Sequence, residues 1–236
     1  MFKMRCFILI LGVHLFILNC TEKSTQPEIK PTRVQLIQSG TPYDEVERGI
    51  DAVPDVDGIY LEWQDPDDAS IEFYEIYRGE DPADRFNPVG KVFEPDTTFL
   101  DEEVELFTRY YYYVLAVSDL DVKSESSDTL FYTLLDKTDN LRPSGIWSES
   151  KPKFSWDDVQ AHLYLVRIVD LLLDEVVWMA EAESQYSERV EIDFDSTYTT
   201  EIDSLVRQRD YLWRVDVIGE GENIGSESQW VPLRIE

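Results

Sequence analysis

Apolar and polar residues alternate along most of the chain in short runs. In GIYLEWQD, Ile59, Leu61 and Trp63 share one side of an extended segment, and Tyr74 and Ile76 do the same in IEFYEIYRGE. A period of two is typical of strands with one buried face. Pro, Gly, Asp and Asn separate the runs, and the first half contains no long amphipathic helical pattern. The pattern therefore predicts an all-β fold.

The strand pattern occurs twice. Tyr110 begins a Tyr-x-x-x-Val-x-Ala segment, and Tyr211, 101 positions later, begins Tyr-x-x-x-Val-x-Val. An alternating strand that ends in tryptophan precedes each copy, and a Ser-Glu-Ser triplet follows each. Two copies of about one hundred residues match the size of an immunoglobulin-like sandwich. The matching features are Trp63 and Trp156 upstream, and the triplets 124–126 and 226–228 downstream.

These residues resemble those of fibronectin type III domains. In the first half the matching segments are 61–63 for strand B, 74–79 for strand C, 98–101 near strand E and 110–116 for strand F. The second half is similar but more divergent, with segments 154–156, 164–168 and 211–215. The resemblance implies two tandem immunoglobulin-like β-sandwiches, residues 34–137 and 138–236. It implies a fold and very little chemistry.

Four consecutive tyrosines, 110–113, lie in the predicted strand F. Period two turns Tyr110 and Tyr112 toward the core. The resemblance implies that Tyr110 is the tyrosine-corner residue, whose hydroxyl bonds to nearby backbone. The other two tyrosines point outward, where residues from strand C join them. The candidate binding face consists of Phe73, Tyr77, Tyr111 and Tyr113.

Three interpretations of this face remain open. Tyrosine suits a half-exposed strand because it has high strand propensity and one polar end. Alternatively, the other domain or a loop packs over the face. The third interpretation is a binding surface for a protein or for a sugar ring, since exposed aromatic patches often mark such sites. The equivalent positions of the second half are Leu212, Arg214 and Asp216, so the aromatic outer face belongs to the first domain.

The N-terminus has the pattern of an exported protein. Lys3 and Arg5 precede an apolar run, 7–18, which is short for a membrane-spanning helix. This predicts a signal peptide over residues 1–19. Segment 17–20 resembles the lipobox of bacterial lipoproteins, which implies acylation of Cys20; the alternatives are an ordinary signal peptide or a buried thiol. The resemblance favours the outer membrane, because Thr21 stands where inner-membrane lipoproteins often carry Asp.

Two further segments have a pattern of their own. Residues 20–33 combine the lipidated cysteine with a polar stretch that contains two prolines, which predicts a flexible tether of at most ~40 Å. In the second half, LLLDEVVWMAEAES (171–184) predicts a hairpin between two strands, with a helix or a docking surface as alternatives.

The chain is strongly acidic, with a net charge of −28. Removal of the signal peptide leaves 19 basic and 49 acidic residues, or −30. Such a surface repels phosphate backbones and anionic lipids, so nucleic acid is not expected as a partner. Calcium is the one cofactor that the acidity suggests. Aspartates cluster in two loops, 55–57 and 65–68, but neither loop has the spacing of an EF-hand.

Residues for catalysis are scarce. Without the signal peptide, His162 is the remaining histidine, no cysteine nucleophile is left if Cys20 is acylated, and Gly-x-Ser-x-Gly is absent. We therefore assign no catalytic residue and no metal ligand, and predict a chain that is not an enzyme. The predicted function is a membrane-anchored envelope lipoprotein that acts as a protein-binding, scaffold or adhesion module. The alternative is a carbohydrate-binding lipoprotein that uses the outer aromatic face of the first domain.

Overall fold

The computed structural model describes residues 29–83, 85–194 and 202–236. Sixteen β-strands, β1 to β16 in chain order, make up the regular structure of these residues. The predicted all-β fold is confirmed. Within the described ranges, no helix has the length and apolar character needed to cross a membrane.

The first sandwich contains eight strands: β1 (Gln35–Leu36), β2 (Asp51–Ala52), β3 (Ile59–Gln64), β4 (Ile71–Gly79), β5 (Asn87–Phe93), β6 (Thr98–Asp101), β7 (Arg109–Ser118) and β8 (Leu130–Leu134). In one sheet β1, β2 and β6 all pair with β3, and the other sheet has the order β5-β4-β7-β8. This arrangement of two antiparallel sheets is that of a fibronectin type III-like sandwich.

The core of the first sandwich lies between these two sheets. Ile59, Leu61 and Trp63 enter it from β3, and Tyr110 and Tyr112 enter it from β7. All five are buried, so the predicted alternation is confirmed in both strands. The buried apolar side chains remove water-accessible surface from both sheets at once, which holds the layers together.

The second sandwich also contains eight strands: β9 (Gly145–Trp147), β10 (Lys153–Asp157), β11 (Leu163–Asp170), β12 (Glu175–Ala182), β13 (Arg189–Asp193), β14 (Arg209–Ile218), β15 (Ile224–Glu227) and β16 (Val231–Ile235). β10 pairs with β13, and β12, β11 and β14 form the opposite sheet with β15, β16 and β9. β11 and β12 are a hairpin, as predicted for 171–184, and the helical alternative is wrong.

The tyrosine corner is present in both sandwiches. The Tyr110 hydroxyl accepts a hydrogen bond from the Glu105 backbone N–H (3.1 Å), and the Tyr211 hydroxyl accepts one from the Val206 N–H (2.9 Å). In each copy the donor lies five positions upstream of the tyrosine. The role that the resemblance implied for Tyr110 is thus observed, and it is repeated in the second half.

The serine equivalence predicted from the Ser-Glu-Ser triplets is wrong by one position. The Ser127 hydroxyl accepts the Val114 N–H at 2.9 Å, and the Ser228 hydroxyl accepts the Val215 N–H at the same distance. Ser127 and Ser228 are therefore the equivalent residues. They lie 101 positions apart, as the corner tyrosines do. Several adjacent serines in the first copy made the shifted triplet look like the match.

Candidate functional site

Aromatic rings line the outer side of the β5-β4-β7-β8 sheet. Tyr77 lies opposite Tyr113, and their rings stack with centroids 4.9 Å apart and planes 9° apart. Phe86 packs on Tyr113 (5.0 Å), while Tyr111 packs on Phe131 of β8 (5.8 Å). We call these five half-buried side chains the aromatic row. Three of the four residues predicted for the binding face therefore belong to it.

Phe73 lies on the predicted side of the sheet but is only 7% exposed. The Phe93 ring packs against it (5.9 Å), and the Lys91 ammonium sits 3.2 Å from its centroid. The ring of Phe73 is thus shielded from solvent by its neighbours on β5. Phe73 therefore offers little surface to a ligand. Its side of the sheet is as predicted, but its inclusion in an exposed binding face is corrected by its burial.

Exposed cations accompany the aromatic row. Lys123 donates to Glu75 (2.6 Å) and to the Tyr77 hydroxyl (3.2 Å). Although burial opposes the shift, the Lys123 hydrogen bond lowers the pKa of Glu75. At the other end of the row the Arg109 guanidinium lies 4.7 Å from the Phe131 centroid. On a chain of net charge −28, this outer face therefore combines aromatic rings with the cations Arg109 and Lys123, of which Lys123 is paired with Glu75.

The two sandwiches share one continuous sheet. β15 pairs in parallel with β8, with Ile224 opposite Thr133 and Gly225 opposite Leu134. The Lys137 ammonium, in the connection between the domains, donates to the backbone carbonyl of Val53 and to that of Glu227. The backbone itself therefore joins the domains, in addition to side-chain contacts.

A loop of the first domain covers the outer side of β11 and β14. Arg167 donates to the carbonyls of Pro42 (2.7 Å) and Asp44 (3.1 Å). Glu47 of the same loop pairs with Arg167 (3.0 Å) and with Arg214. The outer face of the second domain is thus an interface with the first domain rather than a solvated surface.

Five charged side chains meet at this interface. Arg167 and Arg214 both pair with Asp216, at 2.8 and 2.7 Å, and Arg214 also pairs with Glu227 at 2.8 Å. Both arginines are 2% exposed. We call Glu47, Arg167, Arg214, Asp216 and Glu227 the interdomain charge cluster. Sequence analysis identified Arg214 and Asp216 as outward residues but missed the loop that covers them.

The carboxylates of the cluster lie close enough together to hold a metal ion, but two arginines are already paired with them. One oxygen each of Glu47, Asp216 and Glu227 lies within 4.8 Å of the others. The Arg167 and Arg214 guanidiniums already neutralise these oxygens, so a cation would have to displace them. The cluster is therefore better described as an ion-pair network than as a metal centre.

The predicted calcium loop has its carboxylates engaged in turns. Asp65 accepts the Asp67 backbone N–H (2.8 Å), and Asp68 accepts the N–H groups of Ser70 (3.0 Å) and Thr32 (2.7 Å). These bonds lower the pKa of Asp68 well below its ordinary value, with the Ser70 hydroxyl as the largest contributor. Calcium binding stays a prediction.

Two acids at the domain interface have raised pKa values. Burial raises the pKa of Asp51 to about 6, although the Tyr132 hydroxyl donates to it at 2.9 Å. Burial also raises the pKa of Glu227, and the nearby carboxylates of Asp216 and Glu47 reinforce the effect against the favourable contact with Arg214. Three carboxylates facing two guanidiniums favour retention of one proton.

We expect the free energy of unfolding to fall as the pH rises from about 6 to about 8. In the unfolded chain both acids ionise near pH 4, so above that pH the folded state binds more protons. Each extra proton lowers stability by up to about 1.4 kcal/mol per pH unit until the folded-state pKa is passed. Asp51 contributes between about pH 4 and 6, and Glu227 contributes from about pH 4 through that range and beyond it.

Urea denaturation of the wild type and of Glu227→Gln measures this effect. Glutamine needs no proton to be neutral, so the variant should have a flatter dependence on pH. The matched control is Glu149→Gln at an exposed position, which should keep the wild-type slope. Equal slopes for the wild type and Glu227→Gln would contradict the assignment.

The predicted lipidation site, Cys20, and the predicted signal peptide lie outside the described residues. The end of the predicted tether is described and is bound to the first domain. Lys30 pairs with Glu125, and Arg33 pairs with Asp128 at 2.7 Å and donates to the Ser126 carbonyl at 2.6 Å. Residues 30–33, the last part of the predicted tether, therefore contact the first domain.

No protein-family model and no curated protein matches the chain. Some solved structures align with part of the chain. The FN1–FN3 domains of chicken CNTN1 are 13% identical, with 86% of this chain and 69% of that chain covered and a TM-score of 0.34. A two-domain fibronectin type III segment from chicken tenascin is 16% identical, with 78% and 95% covered and a TM-score of 0.32.

Two bacterial structures overlap with a smaller part of the chain. A Fn3-like protein from Clostridium thermocellum is 25% identical, with 35% of this chain and 84% of that chain covered and a TM-score of 0.30. Pectate lyase PelI from Erwinia chrysanthemi is 21% identical, with 42% of this chain covered and a TM-score of 0.32. The chain covers 28% of that lyase, less than two thirds of its length. The fibronectin type III-like fold itself follows from the strand order and pairing of the chain.

Proposed function

We propose that this chain is a non-catalytic binding protein of the bacterial cell envelope, anchored through lipid on Cys20, and that the aromatic row is its contact surface for another protein. The observation that carries the proposal is the combination of five rings and the exposed cations Lys91, Arg109 and Lys123 on one rigid sheet face. Aromatic residues and arginine are enriched at the energetic centres of protein interfaces.

The geometry of the row favours a protein over a sugar as its ligand. A sugar ring stacks on an open aromatic face, whereas Tyr77 and Tyr113 turn their faces toward each other. Their ring edges and the Tyr113 hydroxyl remain for contact, and these suit the mixed polar and apolar surface of a protein. The continuous sheet holds the rings in place, so little entropy is lost when a partner binds.

Photo-crosslinking in the native cell tests this function. With a crosslinking amino acid in place of Tyr111, we expect one defined protein adduct. The same amino acid in place of Leu172, an exposed residue of the second domain, should not give that adduct. Co-purification of the partner should fall about tenfold on Tyr113→Ala, consistent with loss of an interface hot spot.

Two results would contradict the proposal. One is the absence of any adduct that is specific to position 111, and the other is partner recovery that is unchanged by Tyr113→Ala. The intact mass of the membrane-extracted chain tests the anchor in the same preparation, since a chain that does not begin at an acylated Cys20 rules it out.

A further inference from the structure

A cleft opens between the two domains, next to the junction of β8 and β15. It encloses about 410 Å³, within the range of small-molecule sites. The first domain contributes Phe107 from the loop before β7. The second domain contributes Tyr186, from the loop between β12 and β13, and Gln160 and His162, from the loop between β10 and β11. The cleft therefore exists only because the domains are held together.

The aromatic side chains of this cleft are more exposed than those of the aromatic row. Phe107 is 64% exposed and Tyr186 is 84% exposed, so neither ring belongs to a core. Both residues also have positive φ angles, 62° and 49°, as does Gln160 at 58°. A bulky side chain in this region costs on the order of 1 kcal/mol. Phe107, Gln160 and Tyr186, all with this unfavourable backbone conformation, line the same cleft.

The polar side chains of the cleft suit a neutral ligand rich in hydroxyl groups. Gln160 supplies an amide, His162 an imidazole, and Asp136 and Glu220 carboxylates, all of which hydrogen-bond to hydroxyls. The described lining residues include no lysine or arginine, and the carboxylates repel anions. Phosphates and acidic sugars are therefore poor ligands here. The cleft is also lined by the apolar residues Leu135, Val217 and Ile224.

One carboxylate positions both loops of the second domain. Asp158 accepts hydrogen bonds from the Gln160 N–H (2.9 Å), the Ser184 hydroxyl (2.9 Å) and the Gln185 N–H (3.0 Å). Although burial opposes the shift, hydrogen bonds from the Tyr164 hydroxyl, the Gln160 N–H and the Ser184 hydroxyl lower the pKa of Asp158. The Tyr186 N–H donates to the same Ser184 hydroxyl (3.2 Å), so the backbones of Gln160 and Tyr186 are held at the cleft before any ligand arrives, which reduces the entropic cost of binding.

We propose that this cleft binds a neutral glycan, with the rings of Phe107 and Tyr186 packing on the apolar faces of sugar units and the polar side chains binding hydroxyls. Aromatic rings offer flat apolar area together with a polar edge, which matches the two kinds of surface on a pyranose. The site is distinct from the aromatic row and needs no lipid anchor. Its failure would leave the proposed function standing.

Calorimetry with defined sugars on the soluble chain, residues 21–236, tests the proposal. The probes are neutral hexasaccharides of glucose, xylose and mannose, with trigalacturonate as the anionic control. We expect at least one neutral probe to bind with a Kd of about 1 mM or lower, while trigalacturonate does not bind. No binding of any neutral probe at about ten times that concentration would overturn the proposal.

Variants assign the binding to the cleft. Tyr186→Leu keeps apolar area but removes the flat ring, and we expect about tenfold weaker binding, whereas Tyr186→Phe should bind like the wild type. Phe107→Gly relieves the positive φ, so it should fold at least as well and still bind about tenfold more weakly. Tyr111→Ala with Tyr113→Ala should bind the glycan normally. Binding that survives Tyr186→Leu and Phe107→Gly would overturn the proposal.

Discussion

Replacement of Arg214 by alanine is expected to lower the free energy of unfolding by about 3–5 kcal/mol, because a buried ion network would lose its central cation. Arg214 contacts the carboxylates of Glu47, Asp216 and Glu227, and its guanidinium lies 4.7 Å from the Trp230 ring. Asp216 and Glu227 are buried as well, so they would be left without this partner. Asp216 would keep Arg167 as a partner, but the cluster would then hold three carboxylates against a single guanidinium, which is costly in a low-dielectric interior.

The matched control for this prediction is Arg234→Ala. Arg234 lies on the neighbouring strand β16 and pairs with Asp210 at 2.6 Å, but both side chains are exposed. Surface pairs of this kind contribute little to stability, because water and salt screen them. Urea denaturation of both variants, analysed with the same m-value, measures the difference between their free energies of unfolding. If Arg214→Ala costs no more than Arg234→Ala, the cluster does not stabilise the chain as described.

The cluster also links the two domains, in addition to the pairing of β8 with β15. Arg214 and Arg167 belong to the second domain, and Glu47 belongs to the first, so their contacts couple the domains directly. We expect the wild type to unfold in one transition and Arg214→Ala to unfold in a broader or split one, since the remaining contacts would be weaker than the domain cores. The fluorescence of Trp63 reports on the first domain, and that of Trp156, Trp178 and Trp213 reports on the second.

The inner half of the tyrosine run was predictable because its causes are local. Period two places Tyr110 and Tyr112 on the core side whatever the rest of the molecule does. The corner bond of Tyr110 reaches only five residues upstream, to Glu105. Short-range patterns of this kind are contained in the sequence, and the second copy at Tyr211 repeats them.

The interdomain charge cluster was not predictable for the opposite reason. Its members Glu47, Arg167 and Arg214 are brought together by the relative placement of two domains, which no local pattern encodes. On a predicted outer face, Arg214 and Asp216 look like ordinary solvated charges. An available hint is a pair of arginines in the middle of strands β11 and β14, where apolar residues are otherwise common.

Phe73 and the serine triplets show two further limits of a periodic pattern. The period assigns Phe73 to the outer side correctly, but burial depends on Lys91 and Phe93 of the neighbouring strand. The connection after strand F is a loop, and its several serines permit alignments that differ by one residue. Only the hydrogen bonds of Ser127 and Ser228 decide between these alignments.

The second large effect is expected for Asp101→Ala, which should lower the free energy of unfolding by about 3 kcal/mol. Asp101 is 3% exposed and accepts hydrogen bonds from Arg78 (2.7 and 2.9 Å), the Tyr112 hydroxyl (2.9 Å) and the Glu103 N–H (3.1 Å). Alanine would remove the acceptor for all three. The Arg78 guanidinium, which also lies 4.8 Å from the Tyr110 ring, would lose its counter-ion.

Two neighbouring tyrosines provide the controls for Asp101→Ala. Burial, reinforced by the Asp101 carboxylate, raises the pKa of Tyr112, so its hydroxyl remains a proton donor at neutral pH. Tyr112→Phe should therefore cost about 1 kcal/mol, the usual value for one buried hydrogen bond. Tyr111→Phe removes a hydroxyl from the outer side and should change stability by less than about 0.5 kcal/mol. Urea denaturation of the three variants gives the order Asp101→Ala, Tyr112→Phe, Tyr111→Phe. If Tyr112→Phe and Tyr111→Phe lower the free energy of unfolding equally, the buried hydrogen bond of Tyr112 does not stabilise the chain as described.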